Sequence, residues 1–490
     1  MLLIYTFALL ALAVTLVLKY FYSYWDRHGL VNVKPHIPFG NLKTVVKKQE
    51  SFGIAINQLY WQTKGQLVGI YLFFRPAILI RDAHLAQRIM TTDFQHFHDR
   101  GVYCNEEGDP FSANLFALPG KRWRNLRNQL SPLFTGGQLR GMMPTILAVG
   151  SKLQHHLEPA AKKEEVLEIR DIVSRFVLEI IATVFFGFEA NCIADRDDAF
   201  SRVLREAQRE SLTANFRGAA VFVCPELLKL TGMSSLEPEV IDFVKGIVTK
   251  QIEHREKSGV LRKDFIQQLI KLRRDESQDP MTIEQCAANV FLFYVAGSET
   301  STGTITFTMH ELSQNPDVMK KLQAEIDETL AKTNGEITYD VLKEMRYLDL
   351  CVKETLRKYP GLPILNRECT VDYKVPESDV AIRKGTQVVI PLYAISMDEK
   401  YFPEPERYYP ERFDGVTQAY DEKAYYPFGE GARNCIAFRM GVLVSKIGLI
   451  LLLSKFSFEA TQGPKIVFSP TSVPLAPKGG ISLKISSRNK

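Results

Sequence analysis

The run Phe428-Gly429-Glu430-Gly431-Ala432-Arg433-Asn434-Cys435-Ile436-Ala437 sets one cysteine between a glycine-rich turn and a long apolar stretch. Gly429 and Gly431 admit backbone angles closed to other residues. The residues that follow, "IAFRMGVLVSKIGLILLLSKF", read as a helix. Cys435 then sits at a helix N-terminus, where free N–H groups and the helix dipole favour a thiolate. A thiolate serves as a nucleophile or as a metal ligand. A nucleophile needs a base, and no histidine follows His310. Taken alone, the segment is better explained as a buried cysteine at a helix start.

A second cluster is Ala296-Gly297-Ser298-Glu299-Thr300-Ser301-Thr302-Gly303, in the middle of the longest helical pattern. Each glycine weakens a helix by roughly 1 kcal/mol, and hydroxyl side chains compete for backbone carbonyls and bend it. Glu299 would place a charge near a buried centre, which is costly without a partner or a role. One reading is a kink that allows close packing. The other is a groove for a small ligand, with an acid and an alcohol beside it to relay protons.

The elements that must carry these clusters are mostly helical. The longest pattern runs from about Ile283 to Ser313, opened by a capping box of Thr282 with Gln285 and closed by Asn315-Pro316. At 1.5 Å per residue it is roughly 45 Å long, and it is apolar on most sides, so it should cross the body buried. Further helices are expected from Pro316 to about Thr333 and from Leu348 to Lys358. "LVGIYLFFRPAILIRD" reads as a hairpin turning near Arg75-Pro76, and "QVVIPLYAI" and "ISLKIS" as short strands. The fold class is therefore mainly α, with one or two small sheets to one side.

Composition narrows the function. The 490 residues are 46% hydrophobic and 24% charged, with a net charge of only +5. That is a globular chain without the electrostatic footprint of nucleic-acid binding. Seven scattered cysteines with no C-x-x-C argue against a disulfide framework or a zinc site and for a reducing compartment. Met1 to Leu18 carries no charged side chain, and a helix of about 20 residues spans a bilayer core. Tyr20 to Trp25 would form an aromatic belt at the interface. Ala11-Leu12-Ala13 resembles a signal cleavage site but lies inside the apolar run, so a retained anchor is favoured. Basic residues after it keep the rest of the chain cytoplasmic. Pro35, Pro38 and Gly40 suggest a stiff joint. The expected organisation is an anchor with its belt over residues 1–25, a linker over 26–40, and one catalytic unit over 41–490.

The clusters then fall into a pattern. The chain resembles the haem-thiolate monooxygenases called cytochromes P-450. Their haem segment F-x-x-G-x-R-x-C-x-G is matched by Phe428, Gly431, Arg433 and Cys435, with Ala437 in place of the last glycine. Their central-helix signature is matched by Ala296, Gly297, Glu299 and Thr300, their E-x-x-R by Glu354 and Arg357, and their P-E-R-F by Pro410 to Phe413. Trp123 and Arg127 match W-x-x-x-R. Each motif alone is weak, but five in order from residue 123 to 437 are specific. The stretches "HGLVNVKPHIPFGNL", "FLFYVAGSETS" and "LRKYPGLPILNREC" are similar to insect microsomal, xenobiotic-metabolising members.

The resemblance implies a triangular helical body around a buried haem b, with Cys435 as the axial iron ligand. It implies that Phe428 packs on the haem near the sulfur. Arg100, Trp123, Arg127, Arg367 and Arg433 would meet the propionates. Gly297, beside Ala296, would open the central helix next to the iron, and Thr300 with Glu299 would deliver protons to dioxygen. Glu354, Arg357 and Arg412 would form a buried structural network.

With no G-x-G-x-x-G and no length left for a flavin domain, electrons should come from NADPH through a separate reductase, with cytochrome b5 as a second candidate donor. Lys121, Arg122 and Arg124, together with Lys446, form either a basic docking face for the reductase or an ordinary solvated helix face. Ala219 to Leu230 is either core or a segment dipping into the bilayer near the substrate entrance. The implied function is oxygen insertion into lipophilic substrates at the endoplasmic reticulum membrane, with toxins and insecticides ahead of steroid hormones and fatty acids. Oxygen-independent isomerase or dehydratase chemistry is argued against by Glu299-Thr300. A non-enzymatic haem or ligand carrier would lack reductase-dependent turnover, and a cofactor-free scaffold would leave the ordered motifs unexplained.

Overall fold

The structure, a computed structural model, describes residues 1–207, 211–275, 280–416 and 420–488. Its strands are β1 (Leu67–Leu72), β2 (Arg75–Ile80), β3 (Val166–Glu168), β4 (Leu365–Glu368), β5 (Tyr373–Lys374), β6 (Ala381–Ile382), β7 (Gln387–Ile390), β8 (Phe456–Ala460) and β9 (Ser482–Ser487). They make small sheets in the orders β1-β2-β7-β4, β3-β9-β8 and β5-β6. β1 and β2 form the expected hairpin, with Leu67 opposite Ile80 and Leu72 opposite Arg75. The strand expected over "QVVIPLYAI" stops at Ile390, and Leu392–Ser396 is helical instead. Pro391 has no N–H to give to a ladder, so the pairing ends there.

The N-terminal helix α1 (Leu2–Tyr22) contains 19 residues, Ile4–Tyr22, long and apolar enough to cross a bilayer, and of its described side chains only Tyr22, at its end, is buried in the protein. The aromatic belt is corrected by the structure. Tyr20 and Phe21 are exposed, but Tyr22 and Trp25 plug into the body beside Tyr71 and Ile78. The Trp25 indole N–H donates to the Ile70 carbonyl at 3.0 Å, and the Tyr71 hydroxyl donates to the Tyr22 carbonyl at 2.9 Å. Gly69 leaves the space: a Cβ there would lie 2.5 Å from the Trp25 ring. The proline-containing joint is docked too. Val33 N–H meets the Gly69 carbonyl at 3.0 Å and Asn41 N–H meets the Tyr71 carbonyl at 2.8 Å. From Tyr22 onward the chain is bonded to the sheet, so the expected boundaries at 25 and 40 fall inside that packing.

The body is built of α2 (Gly120–Leu130), α3 (Gly136–Lys162), α4 (Ile169–Ile181), α5 (Leu212–Val223), α6 (Pro225–Thr231), α7 (Pro238–Ser258), α8 (Ile283–Gln314), α9 (Pro316–Lys332), α10 (Arg346–Lys358) and α11 (Phe438–Lys455), with further helices at Phe52–Trp61, Ala83–Met90, Ala199–Ala207 and Phe265–Arg273 and shorter turns between. The 32-residue α8 is about 48 Å long. Its capping box is complete: Thr282 Oγ1 accepts from Gln285 N–H, and the Gln285 side chain accepts from Thr282 N–H. α8 packs against α4, α7, α10 and α11. These contacts bury most of its length in the main apolar core. The glycines and threonines near its centre do not break it; helix runs through residues 296–303.

Candidate active site

Cys435 does not begin a helix directly. Gly431–Arg433 is a 3-10 turn, and α11 starts at Phe438 with Ala437 as its N-cap. The turn is fixed by Gly431. Its φ is +69°, and a Cβ there would lie 2.0 Å from the Met90 carbonyl oxygen. Cys435 N–H then donates to the Phe428 carbonyl at 2.9 Å, closing the loop across Phe428. Cys435 keeps accessible surface although protein crowds it. A side chain with both properties lines an internal recess. Burial pushes its thiol up, against a hydrogen bond to the Ala437 backbone and the positive charges of Arg127 and Arg100. The expected dipole effect is therefore outweighed in the protein alone, and a coordinated metal cation would complete the deprotonation. Ala437 adopts φ −98°, open to any residue, so its place in the glycine position strains nothing.

Positive charge is concentrated around this recess. Arg367, Arg433 and Arg127 lie close enough to depress Arg100, and Arg367 and Arg127 close enough to depress Arg433. Burial and then Arg367 and Arg433 hold Arg100 well below its usual range. Burial lowers Arg367 to about 10, and burial with the neighbouring arginines lowers Arg433 to about 9 despite Asp99. Among the described residues, Asp99 is the one carboxylate in ion-pair contact with any of the four, 3.2 Å from Arg433 Nη2. Arg433 is otherwise saturated. It donates to the carbonyls of His98 at 2.6 Å and Leu118 at 2.8 Å, and its guanidinium lies 4.1 Å over the Trp123 ring. Arg127 donates to the Asn434 carbonyl and side-chain oxygen, both at 2.8 Å, and so steadies the residue before Cys435. Arg367 is 2% exposed, and its Nε has no hydrogen-bond partner among the described residues.

Four guanidiniums with one carboxylate form a site that demands an anion. Haem carries two propionates and an iron that takes a lone thiolate, so the donor set fits that group. Arg100, Arg127 and Arg367 would hold the propionates. Trp123 and Arg433 would brace the wall behind them, Phe428 would cover the sulfur side, and Cys435 would hold the iron.

A second accessible stretch lies in the middle of α8. Ala296 is exposed and Thr300 half-exposed, although the helix is buried before and after them. Thr300 Oγ1 donates to the Ala296 carbonyl at 2.7 Å. Thr300 also packs beside Gly361, where a Cβ would lie 3.2 Å from its methyl. Gly297 faces Ile181, and a Cβ would meet Ile181 Cδ1 at 3.8 Å, an ordinary contact. Packing therefore does not demand glycine there. Glu299 points to α4 and forms an ion pair with Arg170. Nothing in the sequence around Arg170 signals this partner, which lies 129 positions away. Asn434, by contrast, stood in plain view beside Cys435.

The buried network behind the site is complete. Arg357 grips Glu354 through two bonds, at 2.8 and 2.9 Å, and donates to the carbonyls of Ser396 and Pro405. Arg412 approaches Glu354 at 3.3 Å, and the side chains of all three are at most 2% exposed. One basic-face residue is corrected. Lys446 is buried and paired with Asp349 at 2.9 Å, so it is part of the α10–α11 packing and not of a docking face. Lys121, Arg122 and Arg124 are exposed on α2, with Arg122 paired to Glu106.

A family model described as cytochrome P-450 matches residues 32–484. The chain is 43% identical over 509 residues to probable cytochrome P-450 6d4 of Drosophila melanogaster, a match covering 98% of this chain and 99% of the relative. It is 44% identical over 507 residues to cytochrome P-450 6d3 of Musca domestica, covering 97% of each. It is 42% identical over 499 residues to cytochrome P-450 6d1 of Musca domestica, covering 96% of each.

Proposed function

The chain belongs to the cytochrome P-450 family, and on that premise we propose that it is a membrane-held monooxygenase oxidising lipophilic xenobiotics, plant toxins and insecticides among them. The family uses haem on a cysteine thiolate and draws electrons from NADPH through a reductase. When bound, the haem supplies the activation of dioxygen that inserts one oxygen atom into substrate. The observation that carries the reading is the recess itself. Cys435 keeps accessible surface among crowded guanidiniums, and the Ala296–Thr300 turn is a bare stretch of the otherwise buried α8.

Within that recess each side chain has a task. Arg100, Arg127 and Arg367 neutralise the propionates, and Arg127 also fixes Asn434. The Thr300 hydroxyl holds a proton beside the reacting oxygen, and Glu299, held by Arg170, refills it by taking up a proton from solvent and passing it on. The apolar face of α8 excludes bulk water. α1 anchors the protein in the endoplasmic reticulum membrane with the body on the cytoplasmic side. Phe216, Leu227 and Leu230 on α5 and α6 are exposed apolar residues that suit a bilayer-facing substrate entrance. Lys121 and Arg124 offer charge to an acidic reductase, and cytochrome b5 is a second donor of the same character.

The test is reconstitution in lipid with reductase and NADPH, screening insecticides, plant allelochemicals, ecdysteroids and fatty acids for product. Oxidised insecticide or allelochemical is the expected result. Product from ecdysteroids or fatty acids alone would overturn the xenobiotic reading.

A further inference from the structure

α8 carries two rows of hydroxyls that behave differently. Thr300, Thr304 and Thr308 each donate back to the carbonyl four residues earlier, at 2.7, 2.9 and 2.7 Å. Thr302 and Thr306 do not. They are 1% and 0% exposed, and neither Oγ1 has a hydrogen-bond partner among the described residues. His310, one turn further and 0% exposed, has the same deficit at Nδ1. Its Nε2 lies 3.0 Å from the Pro464 carbonyl. A carbonyl only accepts, so Nε2 carries the proton and Nδ1 is left as an acceptor. Burial lowers the pKa of His310, which keeps the ring neutral and Nδ1 free to accept.

These atoms lie on one helix face. Glu299, Thr302, Thr306 and His310 are spaced three, four and four residues apart, the spacing of side-chain neighbours. Four residues rise about 6 Å, and one water with two hydrogen bonds of about 2.8 Å each bridges that distance. Buried polar atoms without protein partners are where internal water binds.

We propose that Thr302, Thr306 and His310 hold a file of internal water linking Glu299 to the surface beneath Pro464. The file replaces protons that leave the Glu299 carboxyl. Each hydroxyl or water passes on its own proton and takes one from the next; His310, whose Nδ1 only accepts, anchors the last water without relaying, and that water exchanges its proton with bulk solvent. No electrons move, and no bond other than O–H is made or broken. Water binding stands on the orphaned atoms alone. Proton supply rests on the proposed role of Glu299 and Thr300.

The test compares Thr302→Val and Thr306→Val, near-isosteres without the hydroxyl, with Thr306→Ser, which keeps it, all as holoenzymes in the reductase assay. If water is bound, each valine strands it and Tm falls, while Thr306→Ser loses less. If the hydroxyls are truly unpartnered, valine removes a desolvation cost and Tm rises, which overturns the file. Product per NADPH should fall by on the order of tenfold in Thr306→Val and recover in Thr306→Ser. A lowered Tm with unchanged product per NADPH would overturn proton supply. Wild-type protein run alongside separates these results from failure of the monooxygenase reading, which would show as no turnover at all.

Discussion

Cys435, Thr300 and Gly431 make different demands on the chain. Thr300 already satisfies its hydroxyl within α8 at 2.7 Å, so Thr300→Ala should leave folding and haem content intact. Product per NADPH should fall by roughly 10–10² fold while NADPH oxidation continues; unchanged product per electron would remove Thr300 from proton delivery. Gly431→Ala should behave in the opposite way. The backbone alone costs roughly 1–2 kcal/mol at positive φ, and the new Cβ would meet the Met90 carbonyl at 2.0 Å. Haem content on purification should collapse, and a variant purified with full haem would show that the turn tolerates a side chain. The glycine turn ahead of Cys435 was readable from sequence, because glycines at positive φ carry a local signature. Arg170 and Asp99 were not, since their partners are joined only by the folded chain.

At the scale of elements, the recess depends on how α10 is tied to the chain ahead of the Cys435 loop. Arg357 and Arg412 converge on Glu354 with 0% exposure of that carboxylate. Glu354→Ala leaves two buried guanidiniums without their anion and should cost about 3–5 kcal/mol, read as a lower urea midpoint. A loss below about 1 kcal/mol would match a solvated pair and contradict the structure. The hairpin, α8 with its capping box, and α10 followed from periodicity and end signals. The helix expected immediately after Cys435 began at Phe438, because Ile436 and Ala437 form a turn first. Leu392–Ser396 was misread as strand because its apolar run lacks period and only Pro391 marks the change.

For the whole molecule, the exposed apolar helix gives way to the packed body at Tyr22, ahead of residue 25. Deleting residues 2–19 should therefore release protein from membranes with little change in unfolding midpoint. Deleting residues 2–25 also removes Trp25, 4% exposed against the sheet, and should cost about 3–5 kcal/mol. Equal stability of the two truncations would show that the aromatic segment belongs to the lipid interface after all. This boundary escaped sequence reading because aromatic residues after an apolar helix suit a lipid headgroup or a protein core equally well. Gly69, the residue that admits the Trp25 ring, is distant in sequence and ordinary in type.

Whether Cys435 holds a haem iron as thiolate is read from the absorption spectrum of the reduced, carbon monoxide-bound protein. Wild-type protein should show the red-shifted Soret band of thiolate ligation, and Cys435→Ala should lose it together with all turnover. A thiolate band that survives in Cys435→Ala would contradict the assignment.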